Sequence, residues 1–238
     1  MSLKHTKGLS LTELLIGLLV GTFVVAGGVK IFSNNVKSSS DNSHVNALNQ
    51  DLRTMLELML HDIRRAGYAT SQPDDNVDTK IDDLLKNNPF SEIQIDNANT
   101  CIVYTYNKNA NTTVDNNERF GFKLITDNTF NPPKKVLKVR RSATALACNV
   151  GSWENMTAPD VEITDLTFTL SETPLNVSKA LSNPLDPPEL ACNSGDKCQY
   201  LRTVNLIIKG RSTDNPPANQ MLTGSVKIRN DRYLASAP

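Results

Sequence analysis

Leu14 to Val29 is a run of sixteen uncharged, mostly apolar residues, and it begins immediately after a lone carboxylate, Glu13. With Leu9–Thr12 before it and Ile31-Phe32 after it, interrupted by Glu13 and Lys30, the segment reaches roughly the 20 residues a helix needs to cross a bilayer. An acid at the centre of such a helix costs about 2.5–3.5 kcal/mol on insertion scales, so Glu13 calls for a role. A carboxylate at a helix N-terminus gains about 0.3–1 kcal/mol from the macrodipole, which accounts for its tolerance only. Lys4 and Lys7 lie on the N-terminal side and predict a cytoplasmic N-terminus, with the bulk of the chain periplasmic or external. Ala26-Gly27-Gly28 has the small residues of a secretory cleavage site, but the apolar run continues past it and a helical pattern resumes beyond. Gly17, Gly21, Gly27 and Gly28 weaken the helix, and Gly17-x-x-x-Gly21 suits close approach of apolar helices.

Residues 33–44 are polar. From there Val45, Leu48, Leu52, Met55, Leu56, Met59, Ile63 and Ala66 recur at three- and four-residue steps, with Asn49, Asp51, Arg53, Glu57, Asp62 and Arg64 on the other face. This is an amphipathic helix that buries one stripe on a domain. Gly67 is placed to end it. A continuous helix from Leu9 to Ala66 would run about 85–90 Å at ~1.5 Å per residue.

Beyond Tyr68 the chain becomes rich in Asn, Thr, Asp and Pro, and short β-prone runs appear. Strands are expected over Glu92–Ile95, Cys101–Tyr106, Arg119–Ile125, Lys135–Arg140, Val161–Leu170, Tyr200–Lys209 and Leu222–Arg229. Turn-rich stretches separate them at Asn107–Asn117, Asn131-Pro132-Pro133, Asn183–Pro188 and Asp214–Pro217. One long helix followed by several strands reads as α+β with an antiparallel sheet. Tyr104, Tyr106, Phe120 and Phe122 alternate along strands and read as core.

Lys plus Arg equals Asp plus Glu at 25 each, and losing residues 1–8 with Lys4 and Lys7 leaves the remainder slightly acidic. That balance does not fit a nucleic-acid-binding protein. The four cysteines, Cys101, Cys148, Cys192 and Cys198, include no C-x-x-C, and His5, His44 and His61 all lie upstream, so no zinc pattern forms. Disulfides in an oxidising compartment are the better reading, against the alternative of four buried thiols. Cys192 and Cys198 could close a small polar loop around a turn at Gly195, leaving Cys101 for Cys148. Gln72–Asp78 is acidic but lacks the glycine and distal glutamate of a calcium loop, and reads as solvated. His61 reads as packing or surface. No nucleophile, phosphate-loop or metalloprotease motif occurs, so neither a catalytic residue nor a cofactor is expected.

The order of basic leader, Gly8, Leu9-Ser10-Leu11-Thr12, Glu13 and apolar run resembles the prepilin family of type IV filament proteins. The resemblance implies a leader of residues 1–8 cleaved after Gly8 by a membrane aspartyl peptidase, and N-methylation of the new terminus, Leu9. Phenylalanine is usual there, so Leu9 is a mild departure. It also implies pairing between the Leu9 ammonium of one subunit and Glu13 of another, two costly groups becoming one site that sets axial register. Met55–Tyr68 resembles the helix end of PilW-type minor pilins, and Arg202–Ile208 and Val226–Asn230 are loosely similar. Alone, Arg64 and Arg65 would mean only a solvated helix end that complements the dipole. The absence of a proline before Pro73 suits a minor subunit.

The expectation is therefore a pilin-like α+β protein with a membrane and filament-core segment at residues 9–32, an amphipathic half-helix at 33–68 and a periplasmic β-rich domain at 69–238. It would sit in the bilayer of the inner membrane before assembly and in the pilus afterwards. Expected partners are prepilin peptidase, other minor pilins, the major pilin and the inner-membrane assembly machinery. The alternatives are a J-like minor pseudopilin of type II secretion and a membrane-anchored adhesin or DNA-uptake factor.

Overall fold

A computed structural model describes residues 10–69, 88–178, 189, 191–213 and 218–234. Residues 1–9, the loop Gln72–Asp78 and the expected turns Asn183–Pro188 and Asp214–Pro217 lie outside the described residues. Among the described residues one α-helix, α1 (Leu11–Ile63), precedes nine strands: β1 (Ile93–Ile95), β2 (Cys101–Thr105), β3 (Arg119–Asp127), β4 (Lys134–Ser142), β5 (Ser152–Asn155), β6 (Val161–Asn176), β7 (Cys198–Ser212), β8 (Asn219–Lys227) and β9 (Arg232–Leu234). The chain divides between Asn46 and Ala47 into two compact units, and all the strands belong to the second.

The fold class is α+β, with the strands split into two antiparallel sheets, β1-β2-β3-β4-β5 and β6-β7-β8, and β9 pairing with β7. The seven strands expected from alternation all form, with bounds shifted by pairing rather than by local hydrophobicity. β6 runs on to Asn176 because its polar second half pairs with β7 from Val204 to Cys198. β8 begins at Asn219, which pairs with Arg211. β5 and β9 escaped sequence reading: Ser-Trp-Glu-Asn and Arg-Tyr-Leu show no alternation long enough to read, and each becomes a strand only because β4 or β7 offers an edge.

In the second unit, the expected stripe is buried at Leu48, Leu52, Met55, Leu56, Met59, Ile63 and Ala66. It packs on the inner face of the second sheet, where Leu166 and Phe168 of β6 lie beside Val204, Leu206 and Ile208 of β7. Two strand glycines admit the helix. A Cβ on Gly210 would come within 2.8 Å of Leu52 Cδ2, and one on Gly224 within 2.6 Å of Leu60 Cδ1. Gly121 on β3 is tight for another reason: its Cβ would lie 2.6 Å from the Ile102 carbonyl oxygen. Backbone cannot swing aside as a leucine methyl can. Gly121→Ala is therefore expected to cost about 1–3 kcal/mol, and Gly224→Ala less than about 1, as read by urea unfolding. Equal losses would contradict this account.

The sheets are tied together by polar contacts. Lys134 of β4, buried, donates from Nζ to the carbonyls of Pro159 and of Val161, the latter at 3.0 Å, with Phe130 stacked 4.1 Å from the ammonium. The Phe168 N–H donates to the Asn99 carbonyl at 2.8 Å. Two disulfides close loops within each sheet rather than between them, Cys101–Cys148 and Cys192–Cys198, the pairing reached from spacing. Gly195, with φ 89°, makes the turn inside the smaller loop. The four-thiol alternative is set aside.

Candidate functional site

The first part of the site is the start of α1. Ser10 precedes the helix, its carbonyl accepts from Leu14 N at 3.2 Å, and its own N–H donates to Glu13 Oε2 at 3.2 Å. Ser10-x-x-Glu13 is thus half of a capping box, a spacing visible in the sequence but passed over there. Glu13 thereby caps the first turn of the helix. The side chain remains exposed. Gly8 and Leu9, the expected cleavage point and methylated terminus, lie outside the described residues.

From Leu11 to Val36 the helix presents large apolar side chains on every side: Leu14, Leu15 and Ile16 are consecutive and all more than half exposed, as are Leu18, Leu19, Val20 and Phe23. An 18-residue window of α1 has a mean hydropathy of 2.2 and none of it is buried, so the helix is long and apolar enough to cross a membrane. Its glycines are unexplained by packing within the chain. A Cβ placed on Gly17, Gly21, Gly27 or Gly28 would meet no atom within 4 Å among the described residues. Four glycines inside a helix each cost about 1 kcal/mol relative to alanine. Such a cost is recovered where neighbouring helices approach closely.

The second part is the far end of α1, in the β-rich unit. Gly67 ends the helical turn at φ 79° and donates its N–H to Thr105 O at 2.9 Å, and Asn107 N donates to Tyr68 O at 2.8 Å. The chain leaving α1 is thereby held to β2. Asp62, read from sequence as a member of the solvent face, is instead half-buried against β2. Its carboxylate accepts from Tyr104 O–H at 2.6 Å and Tyr106 O–H at 3.1 Å. Burial first, and then the Asp62 charge, holds both phenols above their ordinary pKa. Arg65 pairs with Asp62 at 3.6 Å and stacks over Tyr106 at 4.1 Å, while Tyr106 stacks on Phe120 at 3.8 Å. Arg65 is therefore more than a solvated helix end. Of the four aromatics assigned to the core, Tyr104, Tyr106 and Phe122 are buried and Phe120 is half-buried. His61 lies at the surface.

Arg202 of β7 completes this anchor and had no distinguishing signal in the sequence. It is buried, donating from Nη1 to Ser91 O and from Nη2 to Asn230 O at 2.8 Å. Burial lowers its pKa from the ordinary arginine value. Asn230 Nδ2 donates in turn to Ala66 O at 3.2 Å, and Arg229 N to Arg64 O at 3.2 Å. The carbonyls orphaned at a helix C-terminus are thus met by the segment after β8. The arrangement fixes one end of a helix; it offers no paired acid and base facing a cavity, and no cluster of three or more His, Cys, Asp or Glu occurs among the described residues.

Residues 41–228 match the family described as prepilin peptidase-dependent protein B. The chain belongs to that family. The match covers the anchored half of α1 and nearly all of the β-rich unit, and the membership places the chain among pilin-like proteins of pilus and pseudopilus systems. The family's description names dependence on prepilin peptidase, which suggests interaction with that peptidase; Gly8 lies ahead of the matched residues. Comparison with curated proteins and with solved structures returns no match.

Proposed function

We propose that this protein is a minor pilin of a type IV pilus, processed after Gly8 by prepilin peptidase, N-methylated on Leu9 and active in initiation of the filament or at its tip. The observation that carries the reading is the exposed apolar half of α1 in a chain of a prepilin peptidase-dependent family. Such a surface is stable in two settings, a bilayer and a bundle of like helices. The precursor spans the inner membrane with its N-terminus cytoplasmic and its residues 69–238 periplasmic, then transfers the same surface into the filament core. Residues 9–32 are the segment transferred, and residues 33–68 carry the outer domain. Its work is assembly rather than catalysis, and its partners are other minor pilins, the major pilin and the assembly machinery of the inner membrane.

Glu13 provides the test. In the proposal its carboxylate pairs with the Leu9 ammonium of a neighbouring subunit; in the isolated chain it caps Ser10. Glu13→Gln keeps a side-chain oxygen for the Ser10 N–H and removes the charge. Both Glu13→Gln and Glu13→Ala are expected to be cleaved normally but to enter purified pili at about a tenth of the wild-type level or less, because losing one partner strands the other in an apolar core. Incorporation of Glu13→Gln at the wild-type level would show that capping is the whole role of Glu13. Mass spectrometry of the mature wild-type chain should find methylated Leu9 at its terminus, and Gly8→Val should leave uncut precursor in the inner membrane. Recovery of the chain in a secretion pseudopilus instead of pili would favour the J-like reading, and normal piliation with lost adhesion would favour the adhesin.

A further inference from the structure

The two strands at the margins of the second sheet, β6 and β8, differ in how their outer edges are protected. β6 has a bulge between Ile163 and Asp165, contains Pro174, and gives its Phe168 N–H to the Asn99 carbonyl. Bulges, prolines and cover are the usual means by which a sheet edge is kept from pairing further. Among the described residues β8 shows none of them. It runs nine residues in unbroken register with β7, without proline, and its one charged residue is Lys227 at the end.

The ladder decides which groups of β8 are free. Ile228 N donates to Arg202 O at 3.0 Å, and Ser212 N to Ala218 O at 3.2 Å. In an antiparallel pair such bonded positions alternate with unbonded ones, so Gln220, Leu222, Gly224 and Val226 bond to β7. Asn219, Met221, Thr223, Ser225 and Lys227 therefore turn their N–H and C=O groups away from β7, and no backbone group among the described residues meets them. The inner face is closed, because Leu56 and Leu60 of α1 press on Gly224. A partner can add beside β8 but not over that face.

At the Lys227 end of this edge the surface is basic. Arg64, Ser225, Val226, Lys227, Ile228 and Arg229 line an open cavity of about 370 Å³. Arg64, Lys227 and Arg229 are exposed, and among the described residues no carboxylate pairs with any of them. Arg229 N donates to Arg64 O at 3.2 Å, so the backbone holds two of these cations at one place. A row of open ladder groups leading to unpaired cations complements an extended chain with carboxylates at one end. A lipid headgroup would meet the cations and leave the ladder groups unused.

We propose that β8 takes up an extended acidic segment of a partner protein as an added antiparallel strand, with the segment's carboxylates against Arg64, Lys227 and Arg229. Main-chain bonds to the outward residues of β8 supply the affinity, and the cations select the partner and set its register. The antiparallel direction gives the more stable pairing and places the segment's N-terminal end at Lys227. The inference rests on the assembly reading only for where such a partner is met, and its test needs no filament.

The test uses the full chain in detergent and an N-acetylated nonapeptide of alternating threonine and valine, with glutamates at its first and third positions. In the free chain the N–H groups of Met221, Thr223 and Ser225 should exchange with solvent rapidly, while those of Leu222, Gly224 and Val226 are protected. With the peptide at about 1 mM, the first three should slow at least about tenfold. A peptide with lysines in place of the glutamates should bind at least about tenfold more weakly, and combining Arg64→Glu with Lys227→Glu should reverse that preference. Thr223→Pro removes an outward N–H and no ladder bond, so it should leave the circular dichroism spectrum unchanged and abolish binding. The wild-type exchange pattern is a readout independent of whether a variant folds. Slow exchange at Met221, Thr223 and Ser225 in the dilute free chain would overturn the proposal, as would slowing that grows with the chain's own concentration, which marks a second copy as the occupant. No slowing with the peptide, equal binding of the two peptides, or wild-type binding by folded Thr223→Pro would overturn it as well.

Discussion

Replacing Cys101 and Cys148 together by alanine is expected to destabilise the β-rich unit by about 4 kcal/mol, whereas the same change at Cys192 and Cys198 should cost only about 2. The difference follows from the lengths of chain closed. Cys101 and Cys148 are separated by 47 residues and Cys192 and Cys198 by 6. A cross-link removes more freedom from the unfolded chain when it closes the longer loop. The 101–148 bond also ties β2, whose residues are all buried, to the segment between β4 and β5. Denaturant unfolding of each double variant, beside the wild type, reads both costs. A larger loss at Cys192–Cys198 would refute the loop-closure account.

The second large effect is expected at the end of α1. Asp62→Ala removes the acceptor of two tyrosine hydroxyls and the partner of Arg65. Tyr104 is fully buried, so its hydroxyl is left without the acceptor it has in the folded chain. The expected loss is about 2–4 kcal/mol, the range for stranding buried polar groups and breaking a partly buried pair. Combining Asp62→Ala with Tyr104→Phe should recover part of it, because the stranded hydroxyl goes too. If the double variant is as unstable as the sum of the two single variants, the hydrogen bond is not the cause. The same geometry sets a pH dependence. Tyr104 and Tyr106 have pKa values raised above the ordinary 10.0, mainly by burial and next by Asp62. A raised phenol pKa means the folded state holds its protons more tightly than the unfolded chain. Their contribution is therefore fully present below about pH 10 and falls as pH rises beyond it, so alkaline unfolding should steepen there.

Much of this architecture was legible from residue order. The apolar run, the stripe from Leu48 to Ala66, the stop at Gly67 and the alternating strands each depend on near neighbours along the chain, and each formed. So did both disulfides, because Cys192–Cys198 is a local loop and left Cys101 and Cys148 for each other. Asp62 was misread because helical periodicity sorts residues by angle around the helix. It does not register that two tyrosines 42 and 44 residues later would reach its edge. Arg202 sits among alternating apolar residues of β7 and looks like any strand cation. Its burial comes from Ser91 and Asn230, which lie 111 and 28 residues away.

The candidate site divides along the same line. Gly8, Glu13 and the apolar helix belong to one continuous segment, which in the proposed function meets lipid or other subunits, so no tertiary contact is needed to define them. The residue order alone thus determined a pilin-like chain with one long apolar helix followed by an antiparallel β-rich domain. The tertiary structure alone decided how the helix is held: the division into two sheets, the glycines that let Leu52 and Leu60 close on β7 and β8, and the Asp62–Tyr104–Tyr106 and Arg202–Asn230 contacts at its end. The physical reason is range. Periodicity and capping act over a few residues, whereas the partner of a buried charge is set by where distant strands come to rest.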